Sequence, residues 1–125
     1  MDISYPLAAD TPVSDKPFSP CVRVGHFVFV SGQASVDLSG KIIRGSFAEE
    51  FHRSMENFER VLRTAGAGLQ HVVQTRCYVD DPANMVEFNR LYAAVFSKPY
   101  PARTTITSCF GGILHFEIDA VAVVP

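Results

Sequence analysis

Only one side of the segment SFAEEFHRSMENFERVLRTAG, residues 46–66, is apolar. Phe47, Phe51, Met55, Phe58, Leu62 and Ala65 recur every three or four positions, the spacing that lines up one face of an α-helix. Ser46 and Glu49 form a capping box that sets the start, and Gly66 supplies the stop. A stripe this wide must be buried against a broad apolar surface. Elsewhere the chain alternates with period two, so the surface on offer is a sheet.

That alternation is plainest in HVVQTRCYV, where Val73, Thr75, Cys77 and Val79 oppose Gln74, Arg76 and Tyr78, predicting a half-exposed strand. CVRVGHFVFVSGQ reads as two strand pieces, Cys21 to Val24 and Phe27 to Ser31, joined by a tight turn at Gly25-His26. Gly32 breaks the second piece and lets a backbone or a ligand come close. After a turn at DLSG comes a short β-rich run, Lys41 to Arg44. Asp81-Pro82 pairs an N-cap with proline at the first helical position. Met85, Phe88, Leu91, Tyr92, Val95 and Phe96 mark the buried side of the helix that follows, which SKPYPA ends. Arg103 to Phe110 and Ile113 to Val124 read as the last two strands, folded back on each other through Gly111-Gly112. Pro6, Pro12, Pro17 and Pro20 keep the amino terminus out of helix, and residues 1–16 read as an extended arm.

The order strand, strand, strand, helix, strand, helix, strand, strand predicts one α+β domain over residues 1–125, a mixed β-sheet with two helices packed on one face. One layer of helices leaves the other face bare. Cys21–Ser31 and Ile113–Val124 carry more apolar side chains than that layer covers, which predicts self-association.

Composition excludes several classes of function. Hydrophobic residues make up 47% of the chain and charged ones 19%, ordinary for a globular protein. A net charge of −2 without a basic block leaves no electrostatic footprint for nucleic acid. No apolar run approaches the roughly 20 residues of a membrane span. The opening MDISYPLAAD is acidic and proline-broken where a secretory leader is basic and then apolar, which points to the cytoplasm. Cys21, Cys77 and Cys109 are too scattered for a disulfide framework or a zinc site and read as reduced, buried residues. No glycine-rich phosphate loop is present, so no nucleotide cofactor is expected. His26, His52 and His71 have no serine or cysteine partner in a recognisable motif and read as structural or surface residues.

Two places carry chemistry. In YPARTTITS, Arg103 sits just after a proline turn at the mouth of a β-branched run, where a guanidinium demands an anion. In ILHFEIDAVAVV, His115, Glu117 and Asp119 alternate onto one side of a strand. A hairpin through Gly111-Gly112 would bring Arg103 beside Glu117. Three readings follow: a structural Arg-Glu or Arg-Asp bridge between subunits, a metal site built from His115, Glu117 and Asp119, or a carboxylate-binding arginine next to a general base.

With these residues in view, the chain resembles the RidA/YjgF family of imine and enamine deaminases from about Pro17 to Val124. The matching pieces, in order, are KPFSPCVRVGHFVFVSGQ, SMENFERVLRTAGAGLQHVVQTRCYVDD, EFNRLYAAVF, YPARTTI and FEIDAVAV. The resemblance implies a chorismate-mutase-like fold assembled as a homotrimer, with ligand sites in the clefts between subunits and no cofactor or metal. It implies that Arg103 holds the carboxylate of a 2-imino acid, that Glu117 positions the attacking water, and that backbone near Gly32 and Thr105 completes the pocket. Asn89 matches a cleft-supporting asparagine. Phe18 stands where many active members carry tyrosine, and Thr105 where they carry cysteine. The connection from Arg103 to Glu117 is a residue shorter, with CFGGIL in place of a leucine-proline turn. The implied activity is hydrolysis of 2-imino or 2-enamino acids, such as 2-iminopropanoate and 2-iminobutanoate, to 2-oxo acids and ammonia, which would detoxify reactive metabolites. The alternatives are a deaminase of aminoacrylate or aminomuconate type and a non-catalytic trimer that binds small carboxylates. A nuclease or translation-inhibitor activity, sometimes associated with the family, finds no basic surface in this composition.

Overall fold

The computed structural model describes residues 2–125. Its elements are β1 (Ile3–Ser4), β2 (Cys21–Val24), β3 (Phe27–Ala34), α1 (Phe47–Thr64), β4 (Val72–Val79), α2 (Met85–Val95), β5 (Ala102–Thr107) and β6 (Phe116–Val123). The six strands form one mixed sheet in the order β1-β2-β3-β6-β4-β5. Helices α1 and α2 cover one face of it, as the apolar periodicity predicts. No helix among the described residues is long and apolar enough to cross a membrane.

Local signals act where the sequence places them. Ser46 Oγ accepts from the Glu49 amide and Glu49 Oε1 accepts from the Ser46 amide, which completes the capping box. Every apolar residue of the predicted stripe, Phe47 through Ala65, is buried. Phe51 packs on Phe116 of β6 with ring centroids 4.8 Å apart, and Phe88 of α2 joins them, so the centre of the core is aromatic. The β2-β3 hairpin turns at Gly25-His26 with Val24 opposite Phe27.

Elsewhere long-range pairing overrides the local reading. The hairpin between the last two strands does not form. Strand β5 runs parallel to β4, placing Arg103 opposite Thr75, while β6 inserts between β3 and β4, antiparallel to both. A parallel pair needs a crossover, and α2 provides it. The glycines at 111 and 112, with φ of 59° and 86°, instead help turn residues 108–115 across the end of β4. Asp80 holds that loop: its carboxylate accepts from the Phe110 and Gly112 amides at 2.7 and 2.8 Å, and its carbonyl accepts from Ser108.

Smaller departures have local causes. A register shift between Val72 and Gln74 turns Val73 outward and buries Val72 in its place. Asp81 caps a 3₁₀ turn, Pro82–Asn84, and α2 follows only after it. The run Lys41 to Arg44 makes only an isolated bridge, Ile42 to Val36. The arm is not free of the sheet, because β1 pairs with β2. Cys21 and Cys77 are buried, but Cys109 lies exposed on the loop between β5 and β6.

Candidate active site

Arg103 stands on the helix-covered side of β5. Its guanidinium lies 4.9 Å from the ring centroids of both Phe88 and Tyr92, and Nη2 donates to Asn89 Oδ1 at 2.8 Å. Phe88 and Tyr92 are one helical turn apart on α2, so two adjacent rings orient the cation through their faces. Tyr92 is itself held by a 2.9 Å hydrogen bond between its hydroxyl and Thr75 Oγ1. Among the described residues no carboxylate pairs with Arg103, and most of its five donors remain available. Around it Asn89, Tyr92, Tyr100, Pro101 and Arg103 line a hollow of about 290 Å³. Thr105 lies two residues further along the same face, opposite Cys77.

Glu117 occupies the other side of the sheet. It sits on β6 between Ala34 of β3 and Tyr78 of β4, with its side chain on the face that no helix covers. Burial pushes its carboxyl above the usual carboxylate range, and the neighbouring Asp119 pushes it further. The backbone of Gly32 lies against this carboxyl: a Cβ added there would come within 2.9 Å of Glu117 Cδ and nearer still to Oε1. Gly32 and Phe18 share with Glu117 the wall of a cavity of about 470 Å³ beneath the amino-terminal arm.

Asp119 is already engaged. It accepts from Arg76 Nε at 2.9 Å and from the Tyr78 hydroxyl at 2.7 Å. Burial and the bond to Asp119 push Tyr78 up to about 12, so it is a neutral donor at physiological pH. The one Arg-Asp bridge at this site therefore belongs to Arg76.

The expected side-by-side placement of Arg103 and Glu117 does not occur within one chain. They lie on opposite faces, with β4 between their strands, because β5 pairs with β4 and not with β6. The alternative reading of His115, Glu117 and Asp119 as a metal site on one face does not form either. His115 precedes β6 and packs edge-on against Phe47, and its amide donates at 2.9 Å to the buried Glu50. No metal-ligating cluster of three side chains exists among the described residues. Asn89 meets Arg103 directly, Gly32 lies against Glu117 and Phe18 lines the same cavity; the candidate site residues thus divide into two groups, one on each face of the sheet. Sequence reading assigned Phe88 and Tyr92 to the core and gave no role to Asp80. The i, i+4 aromatic pair flanking Asn89 was the available signal for the first two.

Comparison with known proteins identifies the family and the fold. The family model described as Endoribonuclease L-PSP matches residues 8–124. A RutC family protein of Pyrococcus abyssi is 35% identical over 108 residues, 85% of each chain. The human 2-iminobutanoate/2-iminopropanoate deaminase is 30% identical over 117 residues, 92% of this chain and 85% of that one. The crystal structure of RidA from the Antarctic bacterium Psychrobacter sp. PAMC 21119 superposes with a TM-score of 0.86 at 24% identity, covering 97% of this chain and 99% of that one. With a family match over nearly its whole length, on a six-stranded mixed sheet covered by two helices, the chain belongs to the RidA/YjgF family.

Proposed function

We propose that the protein is a deaminase that hydrolyses 2-imino and 2-enamino acids to 2-oxo acids and ammonia, in sites completed between copies of a homotrimer. The observation that carries this reading is the division of the site. An arginine with no carboxylate partner among the described residues and a carboxyl of raised proton affinity lie on opposite faces of one sheet, so only a second copy can bring them to one substrate. The relationship to the human imine deaminase supports the choice of reaction.

The chemistry follows from the groups. Arg103, pre-aimed by Phe88, Tyr92 and Asn89, forks the substrate carboxylate through two hydrogen bonds. This fixes the sp² carbon next to that carboxylate against Glu117 of the neighbouring copy. Ionised Glu117 takes a proton from water as the oxygen bonds to the imine carbon, and the proton passes to the imine nitrogen. The resulting carbinolamine loses ammonia when its hydroxyl proton returns to the nitrogen through the same carboxylate, and the C=O bond of the 2-oxo acid forms. A base held above the ordinary carboxylate range is better matched to these transfers near neutral pH. The reading places the reaction in the cytoplasm, downstream of enzymes that release enamines, where it removes reactive intermediates.

The test generates 2-iminopropanoate and 2-iminobutanoate in situ with a dehydratase, traps the surviving imine with semicarbazide, and compares wild type with Arg103→Ala. Wild type is expected to remove imine at least about 100-fold faster than the variant, the scale of loss when a substrate is no longer held in register. Arg103 is exposed, so the variant is expected to fold and assemble. An unfolded or dissociated variant would favour a structural role for Arg103. No acceleration by a folded wild type would favour an aminoacrylate or aminomuconate substrate or a carboxylate-binding role.

A further inference from the structure

The cavity beside Glu117 is far larger than the smallest imino acids need. We infer that it receives the substrate's side chain, and that the protein prefers 2-imino acids bearing a branched aliphatic or aromatic group; this rests on the deaminase reading above. Its volume is about 470 Å³. A methyl group, the whole side chain of 2-iminopropanoate, takes up about the volume of one water, ~30 Å³. The cavity would hold on the order of fifteen such groups.

Its chemistry selects as well. Pro12 and Val13 of the arm, Phe18 just after it, Val36 beyond β3 and Leu114 ahead of β6 give the wall apolar surface, and Glu117 is the only Asp, Glu, Lys or Arg among the described residues lining it. Phe18 brings a ring without a hydroxyl. An imino acid with a charged side chain would lose its hydration here and meet no opposite charge except Glu117 itself.

The arm that roofs the cavity is anchored. The Val13 amide donates to Leu38 O at 3.0 Å, the Ser31 amide to Pro20 O at 2.9 Å, and the Ser31 hydroxyl to Ser19 O. Glu117 also borders a second hollow, on the open face, where the only cation among the described residues, Arg76, is paired with Asp119. Nothing among the described residues therefore draws the substrate carboxylate toward Glu117. The carboxylate end goes to Arg103 of another copy, and the side chain is directed the opposite way, under the arm.

The test measures kcat/KM on imines generated in situ by an amino-acid oxidase from alanine, leucine and phenylalanine, with semicarbazide trapping. Each added buried methylene is worth about fourfold. The leucine-derived imine, with three more carbons than the alanine-derived one, is therefore expected to be preferred by roughly 60-fold. Turnover of all three with the alanine-derived imine equal or better overturns the inference and leaves the deaminase reading intact. Val13→Trp, which fills the cavity from the arm, is expected to lower the leucine-to-alanine ratio at least about tenfold; an unchanged ratio in a folded variant also overturns it. Binding of the 2-oxo acids separates the two claims. If no imine is hydrolysed but 4-methyl-2-oxopentanoate binds at least about tenfold more tightly than 2-oxopropanoate, the cavity assignment stands and the deaminase reading falls. Equal binding removes the cavity assignment.

Discussion

Gly32→Ala is expected to inactivate the protein without unfolding it. The new Cβ would lie 2.9 Å from Cδ and 3.4 Å from Cγ of Glu117. Carbon atoms pack at about 3.5–4.0 Å, so the carboxyl must retreat by about 0.6–1 Å. The glutamate end is flexible and partly open to solvent, so it can move where backbone could not. Gly32 is not among the residues with positive φ, so alanine fits its backbone, and the stiffer unfolded chain adds about 0.4–1 kcal/mol of stability. A displacement of this size at the reacting centre costs on the order of 100-fold in rate, about 2.7 kcal/mol of transition-state stabilisation. The assays are a thermal melt and steady-state imine hydrolysis over pH 5–8. A melting temperature at or slightly above wild type, with kcat/KM reduced about 100-fold, is expected. The acid limb of the pH profile should also move down, because the displaced carboxyl is better hydrated. Activity within about threefold of wild type would refute the claim that Gly32 sets the position of Glu117. A large loss of stability would refute the claim that the carboxyl is the part that yields.

Three further outcomes follow from the same geometry. Glu117→Gln is expected to lower kcat about 10²- to 10⁴-fold, the usual contribution of a general base, and to melt higher than wild type at pH 8. Because the folded state raises the Glu117 pKa, the wild type loses stability as pH rises through that value, and the two melting curves should converge below the ordinary carboxylate range. Asp80→Ala is expected to speed amide exchange at Phe110 and Gly112 and to lower the melting temperature at pH 7. The backbone N–H groups of those residues hold the Asp80 carboxyl below its usual range, so its contribution is present above that range and is lost as pH falls through the lowered value, closing the gap between variant and wild type. Phe51→Ala removes a fully buried ring from the aromatic centre and should cost about 3–5 kcal/mol in denaturant unfolding, with m unchanged.

What the sequence by itself determined is whatever depends on neighbours within a few residues. The stripe from Phe47 to Ala65, the Ser46-Glu49 box and the Gly25-His26 turn all act over one or two turns of chain, and each is present as read. The one-sided helix layer follows from the same patterns, since two amphipathic helices and period-two strands leave few ways to bury the apolar surface. The candidate site residues were legible as types: an arginine at a strand mouth, a glutamate alternating with core residues, and a glycine where a close approach is needed.

Tertiary structure alone decided where those residues face. The hairpin inferred from Gly111-Gly112 is locally sound, but β6 has a better place, between β3 and β4, where it satisfies backbone donors and acceptors along both of its edges. Its insertion there, and the pairing of β5 across the α2 crossover, put Arg103 and Glu117 on opposite faces. The outward turn of Val73 and the rotation of His115 toward Glu50 are likewise set by register shifts and packing partners distant in the chain. Strand alternation says that side chains take turns between two faces, but only the choice of neighbouring strand says which face meets the helices and which is left uncovered.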